Sequence, residues 1–169
     1  PKPSPIVRLF SFLIDKDQIK VTIDNGTSQY EIKNSSSKEF NLNSIKKPSA
    51  PNFEDATEKL TDVPLIRVAY GRSGDKGNKA NIGIIARDPK FYPAICNFLD
   101  EKVVKDCFSN FLEGSVERYF LPGSNSLNFV LNDVLGGGGP ASLRNDPQGK
   151  AYAQILLDQT IPIPAKLID

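Results

Sequence analysis

Between residues 65 and 86 a strongly polar, glycine-rich segment is clamped by two short apolar runs, and no other stretch of the sequence restricts the fold as much. The polar part reads Gly71-Arg72-Ser73-Gly74-Asp75-Lys76-Gly77-Asn78-Lys79-Ala80-Asn81-Ile82-Gly83. Leu65 to Tyr70 precedes it, and Ile82 to Ala86 follows. Both flanks are short and rich in β-branched residues, so each reads as a strand bounded by turn chemistry. The polar cluster is then expected where a hairpin turns. Glycine takes left-handed backbone angles and leaves N–H groups uncovered, so this turn, with Arg72 and Lys76 beside it, predicts a concave site for an anion.

The run Arg72 to Asn78, continued by Ala80-Asn81-Ile82-Gly83-Ile84-Ile85-Ala86-Arg87, resembles the signature of the AtuA-like family, named for acyclic terpene utilisation protein A. Gly136 to Gly139, with Ser142-Leu143-Arg144, Asp146-Pro147, Gly149-Lys150 and Ala153-Gln154, is similar to the second motif of the same carboxy-terminal, ferredoxin-fold domain. The resemblance covers roughly residues 64 to 162. Pro3-Ser4-Pro5, Val7 to Ser11 and Leu13 look like the tail of the large domain that precedes it in the family. The resemblance implies three parts: residues 1–33 as that tail, 34–61 as a linker and 62–169 as the ferredoxin-fold domain. It also implies a role in breakdown of acyclic terpenoids such as citronellol or geraniol through coenzyme A thioesters. In the family the larger amino-terminal domain is expected to hold much of any active site.

The chain opens on Pro1 and has no methionine in 169 residues, which is the expectation for a truncated or cleaved chain. At 39% hydrophobic and 24% charged residues it has ordinary globular composition, enough for one domain with a core. Its 21 basic and 20 acidic residues give a net charge of +1, which predicts neither a nucleic-acid nor a membrane-surface partner. No apolar run approaches a membrane span, and the start lacks the order of a secretory signal. Cys96 and Cys107, on one predicted helix, would stand about 16 Å apart against the roughly 7 Å a disulfide allows. Unless that helix breaks sharply near Asp100, both are expected as free core thiols in a reducing, cytoplasmic setting. The absence of histidine removes histidine triads and histidine metal sites, so no metal and no cofactor is expected.

The remaining chain reads as strands at Ile6–Ile14, Gln18–Ile23 and Gln29–Lys33, the last after an Asn25-Gly26 turn. A polar, proline-punctuated stretch runs from Asn34 to Thr61. Asp88-Pro89 opens a helical pattern through Leu112. Strands follow at Ser115–Leu121 and Ser126–Leu135, then the glycine run, then a helix from about Gln148 that stops before Pro162. Two strand-strand-helix units, the helix of each preceded by an Asp-Pro pair, can join in one antiparallel sheet with helices on one face. The expected fold is therefore α+β, a two-layer ferredoxin-like sandwich.

The candidate ligand-binding residues are Arg72, Ser73, Gly74, Gly77, Asn78, Asn81, Gly136, Gly137, Gly138, Ser142, Arg144 and Lys150. Asp75 and Lys76 are the candidate catalytic pair, with Asp75 orienting Lys76 or acting as acid or base. The same charges also fit a rigid ion-pair cluster with no ligand, and loops held by a scaffold favour the site. Ser73 and Lys76 share the Ser-x-x-Lys spacing of a nucleophile pair, but that chemistry needs a helical turn and Gly74 and Gly77 disfavour one. The glycine run lacks the order of a nucleotide P-loop or a dinucleotide site. Expected partners are the larger domain, an acyl-coenzyme A or carboxylate, and further copies of the chain. The competing class is a non-catalytic assembly module whose charges form interface ion pairs.

Overall fold

The computed structural model describes residues 2–8, 10–33, 41–53 and 59–168. Two compact units divide them. The smaller, within Phe10–Lys46, contains the antiparallel strands β1 (Val21–Asp24) and β2 (Gln29–Ile32), exposed on both faces. The Asn25-Gly26 turn falls where expected, with Gly26 at φ +85 and the Asn25 carbonyl oxygen Oδ1 accepting from the Thr27 and Ser28 N–H groups. No strand forms in the described part of residues 6–14, whose apolar side chains include an 83%-exposed Phe10 and a fully exposed Leu13. The first strand of the expected pair is likewise shortened, because Lys16–Gln18 is a 3-10 turn. Of the expected linker, residues 34–40 and 54–58 lie outside the described residues.

The larger unit holds the core. It starts with β3 (Leu60–Pro64) and the single helical turn α1 (Leu65–Val68), then the hairpin β4 (Ala69–Lys76) and β5 (Lys79–Ala86). Helices α2 (Tyr92–Phe98) and α3 (Glu101–Cys107) follow, then the hairpin β6 (Val116–Leu121) and β7 (Ser126–Leu131). Helix α4 (Tyr152–Leu157) and strand β8 (Thr160–Pro164) complete it. The four-stranded sheet is antiparallel throughout, in the order β4-β5-β7-β6, and β3 pairs with β8 in a separate ribbon.

Strand alternation sorts the sheet into two faces. Ala80, Ile82, Ile84, Leu127, Phe129 and Leu131 point inward and are buried against Ile95, Val104, Phe108, Tyr152 and Leu156 of the helical layer. The other face, carrying Tyr70, Arg72, Lys76, Lys79 and Ile85, lies open. This is the expected two-layer α+β sandwich of ferredoxin-like type.

Local corrections have local causes. Leu65 to Val68 forms a helical turn instead of the expected strand, closed by the Ala69 N–H on the Leu65 carbonyl, while the Leu65 N–H still bonds to the Gln159 carbonyl in register with the β3–β8 ribbon. The expected long helix is interrupted at Leu99 and Asp100, since Asp100 adopts an extended conformation and caps α3 by accepting from the Val103 N–H at 2.8 Å. Cys96 and Cys107 thus lie on different helices, and both are free thiols. Arg118 donates to the carbonyls of Cys96 and Leu99, closing the end of α2. Strand β7 stops at Leu131, where Asp133 takes a left-handed φ of +49, and the last helix begins four residues later than expected. Strand β8 was not foreseen because Pro162 and Pro164 argue against a central strand; a two-stranded ribbon has an unpaired edge that tolerates them. Among the described residues no helix is long and apolar enough to cross a membrane.

Candidate functional site

The polar motif is strand rather than loop. The turn shrinks to Gly77-Asn78, with φ +67 at Gly77 only, the pattern of a type II′ hairpin turn. Gly71 to Lys76 belong to β4, an edge strand with one face in solvent, so alternation splits the motif. Ser73 and Asp75 face the helical layer, and Arg72, Gly74 and Lys76 face outward. Ser73 and Lys76 therefore stand on opposite faces and form no nucleophile pair.

Glycines on two adjacent strands leave a hollow on the open face. Arg72 pairs with Gly83 and Gly74 with Asn81, so each large side chain stands opposite or diagonal to a missing one. Arg72, Ser73, Gly74, Lys76, Asn81, Gly83 and Lys150 line the resulting open depression of about 380 Å³. Lys150 comes from the segment before α4 and reaches around the free edge of β4. A β-carbon at Gly74 would stand 2.9 Å from its Nζ, so the ammonium group lies directly over this glycine.

Ser73 fixes the segment that delivers Lys150. Its hydroxyl, 7% exposed, donates to the Lys150 carbonyl at 3.1 Å and accepts from the Ala153 N–H at 2.9 Å. Asp146 completes the brace by accepting from the Lys150 and Ala151 N–H groups at 2.9 and 2.8 Å. Of the three cations only Lys150 meets a carboxylate among the described residues: Asp75 Oδ1 lies 3.9 Å from Lys150 Nζ, a solvent-exposed pair of small energetic value. Lys76 Nζ donates to the Asp75 backbone carbonyl, not to its carboxylate. The Arg72 guanidinium has no hydrogen bond or ion pair among the described residues. Asn81 donates to Asn128 Oδ1 at 3.2 Å across β5 and β7. At the far edge of the same face Glu117 is held below the usual carboxylate range by hydrogen bonds from Tyr119 and Asn132.

The glycine run packs against the hairpin turn instead of lining the depression. Asn78 donates to Asp133 Oδ1 at 3.0 Å and accepts from the Gly137 N–H at 2.7 Å, and its carbonyl accepts from Val134. Gly136, Gly137 and Gly138 all have positive φ, and a β-carbon on Gly138 would fall 2.8 Å from the Gly77 carbonyl oxygen. Arg144 is elsewhere again: it donates to the carbonyls of Val134 and Phe111, and its guanidinium lies 5.2 Å from the Phe111 ring. Ser142 Oγ accepts from the Arg144 N–H. Of the candidate residues, then, Arg72, Ser73, Gly74, Lys76, Asn81 and Lys150 converge on the depression, with Asp75 at its edge. Gly77, Asn78 and Gly136 to Gly138 form a brace beside it, and Ser142 and Arg144 lie apart. Gly83 was missed as a site residue; its signal was its place opposite Arg72, visible once the hairpin register is counted back from Gly77.

The depression supplies positive charge, an amide and an open floor, which suit an anionic oxygen group and not a buried reaction centre. Among the described residues no group of three or more His, Cys, Asp or Glu could hold a metal. Comparison with known proteins gives one family: a model described as the AtuA ferredoxin-like domain matches residues 63–162. Neither curated proteins nor solved structures give a match.

Proposed function

Because the chain belongs to the AtuA ferredoxin-like domain family, we propose that it is the substrate-binding accessory domain of an AtuA-like protein. In this reading the open depression holds a carboxylate or phosphate of an acyl-coenzyme A and presents the substrate to a larger amino-terminal domain, during cytoplasmic breakdown of acyclic terpenoids. The observation that carries the reading is the convergence of Arg72, Lys76 and Lys150 on one hollow floored by Gly74 and Gly83. Guanidinium recognises carboxylate and phosphate in a planar, two-pronged way, and the two ammonium groups add point charge. Asp75 tempers Lys150 from the edge and is the group available for acid or base work.

Calorimetric titration of the chain with coenzyme A, a branched acyl-coenzyme A and a terpenoid acid tests this. Saturable binding lost in Arg72→Ala and in Lys76→Ala is the expected result. A flat titration of folded protein with all three overturns it.

The second reading, an assembly module, has its own observation. Tyr70, Ile85 and Leu121 share one row across the open face, through Ser126, and are 56%, 49% and 45% exposed. Sedimentation of the chain as an oligomer, lost in Ile85→Lys while ligand titrations stay flat, would favour this reading over the first.

A further inference from the structure

On the helical layer lies a second open hollow, mainly apolar and of about 490 Å³, walled by Phe111, Leu143, Ala151, Tyr152 and Ile155 with Arg144 beside them. We propose that this cavity is a second binding site, for a hydrocarbon acid whose apolar body lies on the aromatic wall and whose carboxylate faces Arg144. The proposal stands on different residues from the proposed function and does not rest on it.

The wall is rigid and preformed. Phe108, Phe111 and Tyr152 make a three-ring cluster with centroids 5.2–5.6 Å apart, and the Tyr152 hydroxyl is tied to the Val134 carbonyl. The volume and the apolar lining are those of a small-molecule pocket with a few polar groups to orient the ligand. Leu143 at the rim is 92% exposed, so the molecule leaves a large aliphatic side chain in water beside an apolar hollow. A hydrocarbon in the cavity would cover it. The rim segment, residues 139–148, is bounded by glycines with left-handed φ, Gly138 at +87 and Gly149 at +59.

Charge sets the polar end of the ligand. Arg144 uses two donors on the Val134 and Phe111 carbonyls, and no carboxylate lies within ion-pair distance of it among the described residues. Its remaining N–H donors lack a counter-anion at the cavity wall. Asp146 also lines the cavity, but both its oxygens accept backbone N–H groups from Lys150 and Ala151. Asp146 keeps its charge, but its oxygens are occupied by those N–H groups and it is not paired with Arg144, so the guanidinium is the group left to meet a ligand carboxylate.

The test uses anilinonaphthalene sulfonate, an apolar anion, as a fluorescent probe of the 169-residue chain, displaced by decanoate and by decanol. One saturable enhancement is expected, with decanoate displacing the dye at about a tenfold lower concentration than decanol, the increment of one charge-assisted hydrogen bond. Ala151→Phe, which fills the cavity from an exposed position, is expected to abolish the enhancement with the circular dichroism spectrum unchanged. Leu143→Asp, at a position that carries no packing, is expected to weaken it as well, and serves if Ala151→Phe does not fold. Arg72→Ala is expected to leave it intact, so that failure here and failure of the anion depression are told apart. Absence of saturable enhancement, enhancement that survives both cavity variants, or equal displacement by acid and alcohol would overturn the proposal.

Discussion

Replacing Gly138 with alanine puts a β-carbon 2.8 Å from the Gly77 carbonyl oxygen, 2.9 Å from the Gly77 carbonyl carbon and 3.1 Å from the Asn78 nitrogen. These are backbone atoms of the hairpin turn and cannot rotate aside. The position also has φ +87, which costs a side chain about 1–2 kcal/mol. Crowding against atoms that yield poorly costs about 1–3 kcal/mol more. Gly138→Ala is therefore expected to lose roughly 2–5 kcal/mol, a large part of the roughly 5–15 kcal/mol that holds a typical domain together. Three other glycines separate the contributions. Gly77→Ala has the strained φ of +67 and open space, and is expected to cost about 1–2 kcal/mol. Gly114→Ala has an unstrained φ but meets Asn132, whose carbonyl carbon would stand 2.7 Å away, and is expected to cost about 1–3 kcal/mol. Gly139→Ala meets nothing and has no positive φ, so it should shift stability by less than about 0.5 kcal/mol. Urea unfolding followed by far-ultraviolet circular dichroism reads all four. With a slope near 2 kcal/mol per molar, Gly138→Ala is expected to lower the midpoint by about 1–2.5 M. If Gly138→Ala falls no further than Gly77→Ala, the close approach of the two motifs is not a structural constraint and the reasoning fails.

Ser73→Ala strands the buried Ala153 N–H, and is expected to cost about 1–3 kcal/mol in the same urea assay; a variant as stable as the parent would remove the anchoring role assigned to the hydroxyl. Alkaline pH probes the core. Burial pushes the Cys96 thiol up to about 11 and Tyr92 up to about 12, so the folded state holds protons that the unfolded state releases. For such raised groups the stabilising contribution is whole below the unfolded value and drains away as pH climbs toward the folded one. Stability is expected to fall from about pH 8.5 upward, by roughly 1–2 kcal/mol at pH 10 through Cys96, and Cys96→Ala should flatten that part of the profile. An unchanged slope in Cys96→Ala would show that other groups govern the alkaline limb.

Hairpin β6-β7, the break between hairpin β4-β5 and the helical segment, and the layer assignment were legible because apolar spacing and Pro-Gly or Asn-Gly signals act locally. The polar motif was misplaced for an equally local reason. A run of charges and glycines reads as loop, yet the outer face of an edge strand is wet on one side and accepts the same residues. That shift changes the chemistry: strand alternation separates Ser73 from Lys76 and leaves Arg72 and Lys76 together. Gly136 to Gly138 were legible as unusual backbone but not in purpose, since the backbone that Gly138 admits belongs to Gly77 and Asn78, some sixty residues earlier, and Gly136 makes room for Arg144. Arg118 and Arg144 went unread as clamps because their acceptors are main-chain carbonyls, which leave no trace in residue identity. The terminal ribbon failed for a related reason, prolines being excluded from central strands but not from this edge.

That ribbon determines how the domain answers a pull. Leu60 lies opposite Pro164, and the Lys59 carbonyl accepts from the Ala165 N–H. The chain therefore comes in and goes out at the same end of an antiparallel pair. Tension from the two flanks opens such a pair like a zipper, one bond at a time, where a shearing load would engage every bond together. A pull on the flanks thus first frees Phe53, Leu167 and Ile168 from the core and then unzips this pair, ahead of the four-stranded sheet and the cation depression on its open face.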